Sequence, residues 1–128
     1  MYKLLSLFLF AYGLAVTIED IYDNSWALVI GIDKYQNVSN LSYAVKDAES
    51  INEILVNSFT FPKENITFLK NEDATKQNIL KSFSDITKKA KDNDRVLIFF
   101  AGHGETMDLP EGGEKGYLIP VEGDSDDL

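Results

Sequence analysis

The 128-residue sequence contains no cysteine and only one histidine, His103. Without cysteine the chain can form neither disulfide bonds nor thiolate metal sites, and its redox compartment stays undetermined. A zinc site is also disfavoured, because a lone imidazole has no second histidine or thiolate with which to share a metal ion. We therefore predict no metal site.

Basic residues are also few. The chain has 12 Lys and Arg against 21 Asp and Glu, a formal net charge of −9. Nucleic acids and anionic membrane surfaces select basic patches, so neither is expected as a partner. The sequence has no G-x-G-x-x-G or G-K-[ST] pattern, which leaves a nucleotide-binding domain with little support. A composition of 45% hydrophobic and 26% charged residues is typical of one globular domain.

Apolar runs are short, and the longest of them extends from Leu4 to Val16 at the N-terminus. It follows Lys3, carries small residues at a cleavage-like spacing, and falls short of the roughly 20 residues that span a bilayer. We predict a cleaved signal peptide over 1–16 and a linker over 17–25, with an uncleaved membrane anchor as the second interpretation. The protein is then expected to be secreted or periplasmic. N-x-S/T triplets at Asn37, Asn40 and Asn65 fit export from a eukaryotic cell but do not establish it.

From residue 26 onward, apolar runs alternate with amphipathic segments. The runs WALVIGI (26–32), NITFLK (65–70) and VLIFFA (96–101) predict strands, the first of them buried on both faces. Residues 42–57 have helical spacing, and so do the residues after Thr75, a predicted N-cap, with Ile79, Leu80, Phe83, Ile86 and Ala90 on one face. This order predicts an α/β fold with a parallel sheet and right-handed crossovers. After Gly104 the chain is expected to be loop-like and acidic.

The single histidine lies between two glycines at the end of the third predicted strand, in GHG (102–104). Ligands of open parallel sheets bind beyond the carboxyl ends of the strands, and Asp33 follows the first strand at the same rim. An imidazole there can act as a general acid or base, and a free Gly104 N–H can donate to a developing oxyanion. These parts indicate an acyl-transfer site without its nucleophile. A histidine in an ordinary surface turn is the alternative.

Several segments succeed one another at the spacing of a known family: WALVIGIDKY, LSYAVKDAESINEIL, FPKENITFL, NEDATKQNI, VLIFFAGHGE and GYLIPVEGD. Over about residues 25–124 the chain resembles the caspase-like cysteine peptidases. It is more similar to their prokaryotic-type and metacaspase-like branch than to animal caspases. The resemblance implies a three-layer αβα caspase–hemoglobinase-like fold and hydrolysis of peptide bonds in a peptide or protein substrate by a Cys–His dyad.

The resemblance also implies roles for individual residues. His103 matches the catalytic histidine, and Gly104 matches the residue whose amide contributes to the oxyanion hole. Asp47 matches an acidic position of the substrate pocket, although a charge near the start of a helix, where the dipole favours it, is an equally good explanation. Asp33 is expected to line the same pocket. Ala101 replaces a serine common in metacaspases, which weakens any transfer of their substrate preference.

The nucleophile of this family is absent from the chain. In caspases the cysteine lies roughly 50 residues after the histidine, whereas 25 residues follow His103 here. We therefore expect 26–128 to be the N-terminal, large-subunit portion of a caspase-like domain, inactive alone, with the remaining part of the domain as its partner. Its sheet is then incomplete on the C-terminal side and its third strand an unpaired apolar edge. The alternative is a non-catalytic caspase-like module that binds peptides or assembles with a catalytic homologue.

No cofactor is expected. The resemblance raises calcium, on which metacaspases often depend. However, the carboxylates in the C-terminal part lack the one-three-five spacing of an EF-hand loop, and a solvated loop is the better interpretation. These residues are Asp108, Glu111, Glu114, Glu122, Asp124, Asp126 and Asp127.

Overall fold

A computed structural model describes residues 21–124 of the chain. Their elements, in chain order, are β1 (Ser25–Gly31), α1 (Ala44–Asn57), β2 (Ile66–Lys70), α2 (Lys76–Lys89), β3 (Arg95–Ala101), β4 (Gly104–Asp108) and β5 (Glu114–Leu118). Short 3₁₀ turns, Lys63–Asn65 and Asn71–Asp73, flank β2. The predicted signal peptide and residues 17–20 of the predicted linker lie outside the described residues. Strand β1 begins at Ser25, one residue earlier than predicted.

Strands β1, β2 and β3 form a parallel sheet in the order β2-β1-β3. The central strand β1 is buried on both faces, as its unbroken apolar run predicts: Leu28 and Val29 are fully buried and Ile30 is 1% exposed. Each of these side chains contributes about 1.5–3 kcal/mol relative to an exposed position. The core is therefore centred on β1.

Successive residues of β1 point to opposite faces of the sheet, and one helix covers each face. Ala27 and Val29 pack with Ala48 and Leu55 of α1. Leu28 and Ile30 belong to a second cluster that contains Ile86 of α2 and, from the loops, Ile32, Tyr35, Ala74, Ile119 and Val121. The result is the expected three-layer αβα arrangement with a parallel sheet.

The N-terminus of α2 agrees with the sequence-based prediction, but its apolar face is only partly covered. The Thr75 hydroxyl accepts a hydrogen bond from the Asn78 N–H at 3.1 Å, as expected of an N-cap. Leu80 is 58% exposed and Phe83 38% exposed, although both lie on the apolar face that the sequence predicts. Within residues 21–124, no strand pairs with the outer edge of β3, the side on which these residues line a cavity with Ile98 and Phe100.

Strand β3 forms one edge of the three-stranded sheet. It pairs with β1 on one side, and no described strand pairs with its other side. Val96 and Ile98 are 46% and 42% exposed on this strand. The described part of the chain therefore has the unpaired apolar edge that the sequence predicts.

The segment after Gly104 corrects our prediction of a loop. Strands β4 and β5 form an antiparallel hairpin, in which Gly112 and Gly113 adopt φ angles of 91° and 93° in the turn. The hairpin is largely exposed, so its strands carry no apolar alternation that would identify them. Beyond β5 the chain returns to the core at Ile119 and Val121, which are 5% and 2% exposed.

Candidate active site

The site lies at the carboxyl ends of β1 and β3. After β1 the chain crosses to β2 on one side, while β3 lies on the other, so a crevice opens between the two strand ends. The Ile32 N–H donates to the Ala101 carbonyl at 3.0 Å, which extends the pairing one residue beyond β1. The sheet thus brings the loop 32–43 against the GHG turn.

Tyr35 contacts both the backbone and the ring of His103. The His103 N–H donates to the Tyr35 phenol oxygen at 2.7 Å. The two ring centroids are 4.9 Å apart, with the planes tilted by 55°. The phenol comes so close to Gly102 that a Cβ at position 102 would collide with its oxygen and would lie 2.9 Å from the Phe100 ring. Only glycine fits there, so the first glycine of GHG is explained by the close packing of Tyr35 and Phe100 against the turn.

The Tyr35 phenol is protonated at neutral pH. Burial raises its pKa above the ordinary value, and the nearby Asp33 carboxylate raises it further, while the hydrogen bond from the His103 backbone acts in the opposite direction. The group is therefore a neutral hydrogen-bond partner of His103. Its place in the loop DKYQNVSN was visible in the sequence, but its contact with position 103 was not.

The imidazole of His103 is held by a backbone carbonyl. Its Nε2 lies 2.8 Å from the Ser39 carbonyl oxygen. A carbonyl oxygen only accepts hydrogen bonds, so Nε2 carries the proton. In the neutral ring the lone pair is then on Nδ1, the nitrogen that can accept a proton from a neighbouring group. Sequence analysis did not identify Ser39, because every residue type has a backbone carbonyl and the sequence does not show which one contacts the imidazole.

The amide of Gly104 points away from the hairpin partner. Gly104 lies opposite Leu118, and the Ile119 N–H donates to the His103 carbonyl at 3.0 Å. In an antiparallel ladder this pattern makes Gly104 and Leu118 a non-hydrogen-bonded pair, whose N–H groups face outward. The Gly104 N–H is therefore not used in pairing with β5.

His103 and Gly104 line an open cleft of about 860 Å³. The loop contributes Val38 and Ser39, and the remaining walls are the first residues of β4 and the end of β5. Glu105 is the one charged carboxylate among the lining residues. An extended peptide can lie in a cleft of this size. All the walls of the cleft belong to the described fold.

Asp33 caps a helix and does not line this cleft. Its Oδ1 accepts a hydrogen bond from the Ala44 N–H, the first residue of α1, at 2.8 Å. Asn71, whose φ is 45°, accepts hydrogen bonds through Oδ1 from the N–H groups of Asp33 and Lys34 at 3.0 and 3.1 Å. Tyr43, which precedes the helix, provides no side-chain cap. The loop thus supplies the capping carboxylate from eleven positions upstream.

Replacing Asp33 by alanine is expected to lower the free energy of unfolding by about 1 kcal/mol, the typical effect of losing an N-cap. Urea unfolding of the full chain measures this. Asp33→Asn keeps an oxygen acceptor and should retain part of the stability, which makes it the matched control. An unchanged unfolding midpoint in Asp33→Ala would contradict the capping role.

Asp47 lies in the first turn of α1 with its side chain exposed. It is not among the residues that line the cleft with His103. Its position near the helix N-terminus is one that the helix dipole favours for a negative charge. The structure therefore brings His103 and Gly104 together and leaves Asp33 and Asp47 outside their cleft.

Within residues 21–124, no group of three or more His, Asp or Glu side chains is arranged to hold a metal ion. Of the acidic residues of the C-terminal part, those up to Asp124 are spread along the hairpin and beyond it, and Asp126 and Asp127 lie outside the described residues. Glu122 has a structural contact, because its Oε1 accepts a hydrogen bond from the Lys76 N–H at the start of α2, at 2.9 Å. Among the same described residues, no helix has the length and apolar character needed to cross a membrane.

Comparison with known families identifies the family of this domain. Residues 24–127 match the sequence profile of the caspase domain. The chain belongs to the caspase domain family. It is 32% identical to metacaspase-1A of Aspergillus oryzae over 75% of its length, and 35% identical to metacaspase-7 of Arabidopsis thaliana over 70%. It covers 25% and 23% of these two proteins, so the chain spans about a quarter of the length of its curated relatives.

A solved structure supports the fold of this caspase domain. The crystal structure of a Geobacter sulfurreducens protein superposes with a TM-score of 0.68 at 18% sequence identity. The match covers 78% of this chain and 40% of the other. At this identity the likeness concerns the fold alone. It agrees with the parallel sheet between helices described above.

Proposed function

We propose that this caspase domain is the histidine-bearing part of a cysteine endopeptidase, with His103 as general acid and base and the Gly104 amide as an oxyanion donor. The observation that carries the proposal is the hydrogen bond from Nε2 of His103 to the Ser39 carbonyl. It fixes one nitrogen as a donor and leaves the other as a base, at the rim where Gly104 presents an unpaired amide.

The proposed reaction begins with transfer of a thiol proton to Nδ1 of His103. The thiolate attacks the substrate carbonyl carbon, and the resulting oxyanion accepts a hydrogen bond from Gly104. The imidazolium then returns its proton to the leaving amine as the C–N bond breaks. Nδ1 then takes a proton from water, whose oxygen attacks the thioester carbonyl carbon. The C–S bond breaks, the acid product leaves, and the imidazolium returns the proton to the thiolate. The sulfur must come from outside these 128 residues, because they contain no cysteine.

We propose that the cysteine-bearing part of the domain docks on the free edge of β3. A parallel sheet is normally covered at both faces, and the open edge of a strand offers N–H and C=O groups with which another strand can pair. Here β3 has an open edge, and beside it lies an apolar cavity of about 410 Å³ whose lining includes Leu80, Phe83, Ile98 and Phe100. A parallel strand added there would end beside His103. The same contact would bury the exposed apolar face of α2.

Peptide recognition in this proposal involves two acidic residues, Asp47 from the family resemblance and Asp33 from its place at the rim of the sheet. Asp47 is exposed at the start of α1 and is proposed to meet a basic side chain of the substrate. Asp33 is proposed to act indirectly. Its carboxylate holds the start of α1, and its N–H is fixed by Asn71, so it sets the position of the loop that carries Tyr35 and Ser39.

The test joins the full chain to a caspase-domain segment that supplies the cysteine and measures hydrolysis of fluorogenic peptides. The chain alone should leave the peptides intact, because neither Ser nor Thr replaces the thiolate. The assembled protein should hydrolyse them, and amide exchange at Val96 and Ile98 should slow as the edge of β3 becomes covered. A variant segment with Cys→Ala is the control.

The result also separates the peptidase from a non-catalytic module. Slow exchange at β3 together with peptide binding, but without hydrolysis, would indicate a module that assembles and binds without cleaving. Unchanged exchange and no hydrolysis would contradict both the docking surface and the peptidase proposal.

A further inference from the structure

We propose that Tyr35 is a positioning residue that sets the orientation and tautomer of the His103 imidazole. The inference deepens the proposed function, since it rests on His103 as the acid–base group. Its evidence is geometric: a 2.7 Å hydrogen bond from the His103 N–H to the phenol oxygen, and a ring contact with centroids 4.9 Å apart. One side chain thus holds the backbone of position 103 and packs against its ring.

Tyr35 is itself rigidly held. Its side chain belongs to the core cluster and its residue is 9% exposed. The Tyr35 N–H donates to Oδ1 of Asn40 at 2.9 Å, and the next N–H, that of Gln36, donates to the Val121 carbonyl at 2.9 Å. A side chain fixed by packing and by two neighbouring backbone hydrogen bonds has little rotameric freedom left. It can therefore position another group precisely enough for catalysis.

The two acceptors that hold His103 belong to the same short loop. The Tyr35 phenol binds the backbone N–H, and the Ser39 carbonyl binds Nε2 at 2.8 Å. Asn40 closes this loop by binding the Tyr35 N–H. Ser39 can hold Nε2 only while position 103 keeps its place relative to the loop. Without the phenol oxygen, the backbone of position 103 could shift relative to the loop. The hydrogen bond between Nε2 and the Ser39 carbonyl would weaken as a consequence.

The chain offers a direct readout, because His103 is its only histidine. We would label the full chain with ¹⁵N-histidine and determine the populations of the two neutral tautomers by NMR. In the unaltered chain the Nε2-protonated form should dominate. In Tyr35→Phe the ratio of the two forms should fall about fivefold, the effect expected from one lost hydrogen bond, and the His103 amide should exchange faster. Tyr43→Phe, which removes a hydroxyl from an exposed ring, is the matched control and should leave both readouts unchanged.

A folded Tyr35→Phe chain with unaltered tautomer populations would overturn the proposal. Should that variant fail to fold, Asn40→Ala tests the same arrangement, since it frees the Tyr35 N–H without removing the ring. It should shift the tautomer ratio in the same direction, and Asn40→Asp, which keeps an oxygen acceptor, should restore it.

The spectroscopic readout needs no cysteine and no substrate, so it separates this inference from the proposed function. In the protein assembled with its cysteine-bearing segment, Tyr35→Phe should lower kcat about fivefold with little change in KM. A tautomer shift in an assembled protein that hydrolyses nothing would support the positioning role and contradict the peptidase. Hydrolysis that is unaffected by a tautomer shift would contradict the link between Tyr35 and catalysis.

Discussion

Replacement of His103 by alanine in the assembled protein is expected to reduce kcat for peptide hydrolysis by about 10³- to 10⁴-fold, the upper range for loss of general acid–base catalysis. In the proposed mechanism the imidazole takes the thiol proton and later protonates the leaving amine, so both steps lose their proton carrier. The loss should appear in kcat and in kcat/KM alike, because the group acts on the transition state.

Thiol chemistry provides a second measurement that is independent of the peptide chosen. A cysteine beside an imidazole has a lowered pKa, and the pH dependence of its alkylation by iodoacetamide should reflect this. In His103→Ala the midpoint of that dependence should rise towards the value of an ordinary thiol. Asp108→Asn, at the far end of β4, is the control and should leave both rate and midpoint unchanged.

Two outcomes would contradict this role of His103. Hydrolysis that persists within tenfold of the unaltered protein would show that another group moves the proton. A thiol whose alkylation midpoint does not respond to the substitution would show that the imidazole and the cysteine do not meet. Either result would refute the dyad without affecting the assignment of the chain to the caspase domain family.

The three parallel strands and two helices could be predicted because their residues are placed by local rules. Strand β1 has an unbroken apolar run from Trp26 to Ile30, and Thr75 has the side chain of an N-cap. The position of His103 at the sheet rim follows from the same pattern, since it comes directly after a strand. The residues themselves predicted an acid–base group at His103 and an oxyanion donor at Gly104, and the family resemblance matched both to catalytic positions.

The remaining features depend on contacts that leave no pattern in the sequence. The hairpin of β4 and β5 is exposed, so no burial imposes alternation on it. Ser39 acts through a backbone carbonyl, which every residue type has. Asp33 caps a helix that begins eleven residues later, at a distance that local capping rules do not cover. Tyr35 reaches position 103 only because β1 and β3 are neighbours in the sheet.

Replacement of Gly31 by alanine should destabilise the domain more than any surface change, by about 3 kcal/mol, at the upper end of typical overpacking effects. Gly31 ends β1 where α1 crosses the sheet. A Cβ there would lie 2.7 Å from the Ala48 Cβ, 2.8 Å from the Ala44 carbonyl oxygen and 2.9 Å from the Val45 Cα. Two of these atoms are backbone, so no rotamer change relieves the clash.

The helix cannot easily retreat from the added methyl group, because the Asp33 carboxylate holds the Ala44 N–H at 2.8 Å. A shift of α1 would therefore weaken its own cap and displace the loop that positions His103. Urea unfolding should show a lower midpoint with an unchanged m-value. Gly116→Ala in β5 is the matched control, since a Cβ there meets nothing within 4 Å, and its effect should stay within about 0.5 kcal/mol. Equal midpoints for Gly31→Ala and Gly116→Ala would mean that α1 does not approach β1 as closely as described, and the rim that carries the site would lose its structural basis.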